Sequence, residues 1–102
     1  MIVLPIKKQW FDMILSGEKK EEYREFKQYY RSRFSKHFNM NDGLPVDDGT
    51  CDILFRNGYS SDSPSFVAEC SLMVGTGKEE WGAEKDVVYY ILRIKGIRNI
   101  KV

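Results

Sequence analysis

Gly17, Lys19, Glu22 and Arg24 are the residues of this chain whose types and spacing could do chemistry. Lys20 to Phe26 alternates with a period of two, which predicts a strand. On it Glu22 and Arg24 project to one side with Lys20, while Glu21, Tyr23 and Glu25 project to the other. Lys19 stands where the preceding loop joins the strand and can reach the Glu22 side. A lysine, a carboxylate and a guanidinium held together form a charge-assisted donor–acceptor set able to read a polar ligand. On a flat surface the same residues would be solvated ion pairs at a strand edge. An enzymatic use would take Lys19 as an activated base with a carboxylate partner, Glu22 or Glu69. Around Lys19 the acids Glu18, Glu21 and Glu22 outnumber Lys20 and Arg24. That count predicts a lysine that keeps its proton and acts as a donor.

Other chemistries find less. His37 is the only histidine, and Cys51 and Cys70 lie far apart with no Cys-x-x-Cys pair, so no metal set is expected. Gly75-Thr76-Gly77-Lys78 lacks the spacing of a phosphate loop and reads as a strand-end turn. No cofactor is implied. Both cysteines fall in strand candidates and read as small buried hydrophobes.

The elements that must position Lys19, Glu22 and Arg24 follow from periodicity. Met1 to Ile6 is an apolar run closed by Pro5 and reads as a first or edge strand. Lys7 to Ser16 reads as a helix, because Trp10, Phe11, Ile14 and Leu15 recur at three- and four-residue spacing; Gly17 can cap it. Phe26, Tyr30, Phe34 and Phe38 fall four apart and predict a second helix over about Lys27 to His37. Asn39 to Gly49 reads as a loop. Strands are predicted at Cys51 to Phe55, Phe66 to Val74 and Val87 to Ile94. Asn57-Gly58 opens a turn, Lys78 to Asp86 is a polar loop or one helical turn carrying Trp81, and Gly96 is expected to break the chain before a last short strand, Ile97 to Val102. Five or six short strands with two helices near the start predict an α+β domain, a small mixed β-barrel.

Composition bounds the function. One domain over residues 1–102 is expected at this length. The aromatic content of 14% argues against disorder. No stretch approaches the roughly 18 apolar residues of a membrane span, no secretory signal is visible, and two cysteines cannot build a disulfide framework. A reducing, cytoplasmic setting is therefore expected, with no membrane partner. Net charge is +1, but nine basic residues against five acids fall in Met1 to Lys36, interleaved with Tyr23, Phe26, Tyr29, Tyr30 and Phe34. Cations among aromatics suit a nucleic-acid surface, and equally the solvated face of an ordinary helix.

Gly17, Lys19, Glu22 and Arg24 also fill the pattern G-x-K-x-x-E-x-R, set after a short strand and a helix. In this the chain resembles the ASCH (activating signal cointegrator homology) family, over nearly its whole length and at the size of the stand-alone members. The resemblance implies a PUA-like barrel with a cleft beside the first helix that binds RNA or a nucleotide-like ligand. It implies that Lys19, Glu22 and Arg24 line this cleft and that Gly17 permits the turn. Phe55 to Tyr59 and Trp81 to Ala83 are similar to segments of small bacterial and phage members, which adds Asn57, Tyr59 and Trp81 as ligand-binding candidates. One branch of the family hydrolyses N4-acetylcytidine with a lysine, a threonine and a glutamate. Lys19 matches the lysine, but Glu22 stands in the threonine position, so that hydroxyl is missing; other members are described as ribonucleases.

The leading expectation is a regulatory binding module for RNA or a modified nucleoside, with Lys27, Arg31 and Arg33 on phosphates. The alternatives are a small hydrolase of a modified nucleoside or of RNA, and a protein-interaction domain using exposed aromatics.

Overall fold

The computed structural model describes all 102 residues. The chain runs β1 (Ile2–Pro5), α1 (Lys8–Leu15), β2 (Glu21–Glu25), α2 (Gln28–Phe34), β3 (Met40–Asn41), β4 (Leu44–Pro45), β5 (Thr50–Arg56), β6 (Ser65–Thr76), a 3-10 turn (Glu79–Trp81) and β7 (Val88–Lys101). This is an α+β fold. Its main sheet has five strands in the order β1-β5-β6-β7-β2, with β1 parallel to β5 and every other pair antiparallel. β1 and β2 are thus the two edges, yet the Arg24 guanidinium on β2 donates to the Pro5 carbonyl on β1 at 2.8 Å. The sheet is curled until its edges face one another across a seam, a half-barrel that bridged edges keep from further pairing.

Packing explains the elements. α1 buries Phe11 and Ile14, and its outer face carries a Lys8–Asp12 pair one turn apart. The helix ends where Gly17, at φ +85°, returns its N–H to the Ile14 carbonyl. Only glycine holds that left-handed conformation without steric cost, and the next two residues deliver Lys19 to the start of β2. The core gathers Phe11, Phe55, Phe66 and Phe34 with Ile2, Leu4, Ile53, Leu72, Tyr90 and Leu92. Its rings lie 5.0–5.5 Å apart at Phe11–Phe66, Phe55–Phe66 and Phe34–Tyr90.

Three expectations are corrected. Gly96 does not break the last strand. β7 is continuous, and Glu69 pairs with Gly96 while Cys70 pairs with Ile94, so Lys95 is a bulge that lets glycine stay in the ladder. A second irregularity near Asn99, which has φ +54°, bends the end of the strand. The 39–49 segment is not all loop: β3 and β4 pair as a hairpin about Asp42-Gly43, both with positive φ, the favoured residues for such a turn. Finally, β6 does not stop before Gly75; Gly75 and Thr76 pair with Tyr89 and Val88.

Cys51 and Cys70 face each other across β5 and β6 as free thiols. Burial pushes Cys51 up to about 11 and Cys70 up to about 12, which makes both poor nucleophiles. No helix is long and apolar enough to cross a membrane.

Candidate functional site

The seam between β1 and β2 opens into a cleft of ≈ 270 Å³. Pro5, Ile6 and Lys7 form one wall, Glu22 to Glu25 the other, with Trp10 from α1, Tyr30 from α2 and Tyr89 from β7. Glu22 and Arg24 share a strand face, as the alternation requires. Their ladder partners, Leu92 and Tyr90, belong to the core. The pair therefore lies on the concave side of the sheet, where an unpartnered charge would be costly.

The charges are compensated. Glu22 is 6% exposed. Its Oε2 accepts from Arg24 Nη2 at 2.8 Å, and its Oε1 lies 3.2 Å from Lys19 Nζ. One carboxylate joins both cations. Arg24 Nε is buried without a partner.

Lys19 is almost wholly enclosed, 2% exposed. Its ammonium also donates to the Trp81 carbonyl, and it sits 4.6 Å from the Trp10 ring centroid and 5.0 Å from that of Tyr23. Burial pulls its pKa below the ordinary lysine value, outweighing the opposing attraction and hydrogen bond of Glu22. The charge count weighed only the neighbouring charges and left out desolvation, which is the largest influence here. Lys19 lies behind the cleft wall and braces Glu22 and Trp10.

Tyr23 turns to the other face of β2. Its hydroxyl donates to Glu21 at 2.9 Å and accepts from the Lys78 N–H at 2.9 Å. Burial raises its pKa above that of a free phenol, so it remains a neutral donor.

Trp81 contributes its carbonyl to the lysine cage, while its ring is covered by Lys78 at 4.3 Å. The following Gly82 has φ +102°, and a Cβ there would meet the Trp10 ring at 2.9 Å. Gly82 thus fixes both the carbonyl and the ring that Lys19 needs.

The other candidates are dispersed. Asn57 donates to the Ile6 carbonyl at 2.9 Å and ties the 57–64 loop to the cleft rim. Tyr59 is 89% exposed and lines the recesses next to the cleft. Glu69 is exposed on β6 opposite Asp52 and Gly96, away from the cleft lining. On α2 and its cap, Lys27 pairs with Glu25, Arg31 donates to the Asp42 carbonyl at 2.7 Å, and Arg33 donates to the Val3 carbonyl at 3.0 Å. The sequence reading missed Trp10, Tyr30, Tyr89 and Lys7 as lining residues. Trp10, Tyr30 and Tyr89 carried only the periodicity or strand propensity of their elements, which identifies a face but not which end of it stays open, and Lys7 carried no signal.

No group of three or more histidine, cysteine or acidic side chains is placed to hold a metal ion. Chemically, the cleft offers a fixed carboxylate–guanidinium pair on its floor and flat rings on its walls. Comparison with family models, curated proteins and solved structures finds no match to the chain.

Proposed function

We propose that this chain is a binding module for RNA or a modified nucleoside, and that the seam cleft receives a base. The G-x-K-x-x-E-x-R pattern, on which the chain resembles the ASCH family, motivates the reading. The observation that carries it is the Glu22 carboxylate held between Lys19 and Arg24 at the floor of a cleft walled by Trp10, Tyr30 and Tyr89. A base offers a flat π-face to rings and a mixed donor–acceptor edge to charged groups, and this cleft presents both partners. Arg24 supplies donors, Glu22 fixes their direction and Lys19 fixes Glu22. The cytoplasm, where both thiols stay reduced, is the setting this reading assumes.

Hydrolysis of an acylated nucleoside, with Lys19 as base, is favoured by one observation, the lowered pKa of Lys19. Against it stand the enclosure of the Nζ and the carboxylate in place of a hydroxyl at Glu22. The test is calorimetry together with chromatography, using N4-acetylcytidine, the unmodified nucleosides and short RNAs. Saturable binding without product is expected. Turnover that vanishes in both Lys19→Ala and Lys19→Arg would put the enzyme reading first.

A further inference from the structure

A second pocket of ≈ 300 Å³ adjoins the cleft, and Pro5 and Tyr30 belong to the walls of both. Two arginines line it. Arg56 ends β5 and Arg33 comes from α2, with Tyr29 and the exposed Tyr59 beside them. Their electrostatic state differs from that of the motif. Arg24, Arg93 and Arg98 each pair with a carboxylate, on Glu22, Glu21 and Asp52 respectively. Arg33 and Arg56 pair with none, and no acidic residue lines their pocket. Arg33 donates only to the Tyr29 hydroxyl and the Val3 carbonyl; the Nε of each arginine is buried without an acceptor. Two half-buried guanidiniums sharing a pocket repel one another and leave donors unsatisfied, a cost that an anion would relieve. The guanidinium fork matches phosphate oxygens bidentately, and the rings beside it give a flat apolar rim.

We propose that Arg33 and Arg56 form a phosphate subsite, and that the ligand crosses Pro5 with its base in the cleft and its phosphate between the two arginines. The second half of this statement rests on the reading of the cleft as a base site. It assigns backbone contact to Arg56, which composition did not single out, and separates Arg33 from Arg31, whose guanidinium is engaged at Asp42 on another face.

The probes are inorganic phosphate, the four ribonucleosides and their 3′- and 5′-monophosphates. The readouts are calorimetry and the side-chain Nε–Hε resonances of the arginines. In the wild type a monophosphate should bind about tenfold more tightly than its nucleoside, the scale of one charged hydrogen-bonded contact. That increment should vanish in Arg56→Gln and return in part in Arg56→Lys, and inorganic phosphate alone should move the Arg33 and Arg56 resonances. Arg33→Gln is a companion variant; Arg56→Gln carries the test because the Arg56 side chain makes no hydrogen bond within the fold, and its backbone bond to Ile6 is kept by the substitution. Equal affinity for nucleoside and monophosphate, or an increment that survives Arg56→Gln, would overturn the subsite. Phosphate that moves both arginines while no nucleoside moves the Trp10 indole would support the subsite and remove the base reading.

Discussion

Arg24 on the last strand edge of the sheet donates to the carbonyl of Pro5 on the first, at 2.8 Å. The same Nη2 holds Glu22 at 2.8 Å. A single guanidinium therefore closes the seam of the half-barrel and orients the carboxylate on the cleft floor. Stability and recognition are coupled there, and substitutions at the motif should be read on both scales.

Glu22→Gln should show that coupling first. It leaves Lys19 and Arg24 close together without a carboxylate, and Lys19 has almost no access to water. Removing one partner of a buried ion pair costs about 3–5 kcal/mol, whereas replacing the pair by apolar groups can cost little. Urea unfolding should therefore rank Glu22→Gln, which strands two cations, below the double variant Lys19→Met/Glu22→Leu, which strands only Arg24. The opposite order would mean that Lys19 rehydrates freely.

Gly82→Ala should destabilise the protein by about 1–3 kcal/mol, since it combines positive φ with a methyl group 2.9 Å from the Trp10 ring. The tryptophan fluorescence should change with it, because Trp10 must shift. An alanine variant with wild-type stability and emission would show that the turn relaxes without moving the ring.

Much of this was legible in the residues themselves. The alternation over 20–26 placed Glu22 and Arg24 on one face, and of the four-spaced Phe26, Tyr30, Phe34 and Phe38 the middle two mark the packed side of α2, while Phe26 precedes the helix and stays half-exposed and Phe38 lies beyond its end. Gly17 announced the end of α1. What could not be read was how the sheet edges approach each other, because β1 and β2 meet only after three other strands intervene. The burial of Lys19 depends on that closure and on the Trp81 carbonyl, 62 residues away in the chain. Local charge counting therefore left out the largest influence on its pKa. Gly96 misled for a different reason: glycine breaks a strand and forms a bulge by the same freedom of φ and ψ, and only the pairing register distinguishes the two.

Acid should loosen the β5–β6–β7 region through Asp52. Arg98 donates to both of its carboxylate oxygens, and that hydrogen bonding holds the Asp52 pKa below the ordinary aspartate value. A carboxylate whose folded pKa is depressed contributes stability that is complete above its unfolded value, about 3.9, and is lost as pH falls through the lower folded value. Asp52→Asn should flatten the unfolding profile below about pH 4 and lose at pH 7 the same increment that the wild type loses in acid, a small one because the pair is half-exposed. An unchanged acid limb would assign the loss to other carboxylates.

Salt dependence separates the arginines of α2. Arg31→Ala should leave the slope of log affinity for a short single-stranded RNA against log salt unchanged, since its guanidinium lies on another face, against the Asp42 main-chain carbonyl. Arg33→Ala should shallow that slope by about 0.7, the value for one phosphate contact on a single strand. Equal slopes in both variants would place the backbone elsewhere.

The claim that the seam cleft receives a base is tested most directly by titrating each ribonucleoside, and a short unstructured RNA, into isotope-labelled protein. The account predicts saturable shifts confined to the Trp10 indole, the amides of Glu22 to Glu25 and Tyr89, weakened in Arg24→Ala at conditions where that variant remains folded. Saturable shifts centred on any other face, or none at millimolar nucleoside and RNA, would contradict it.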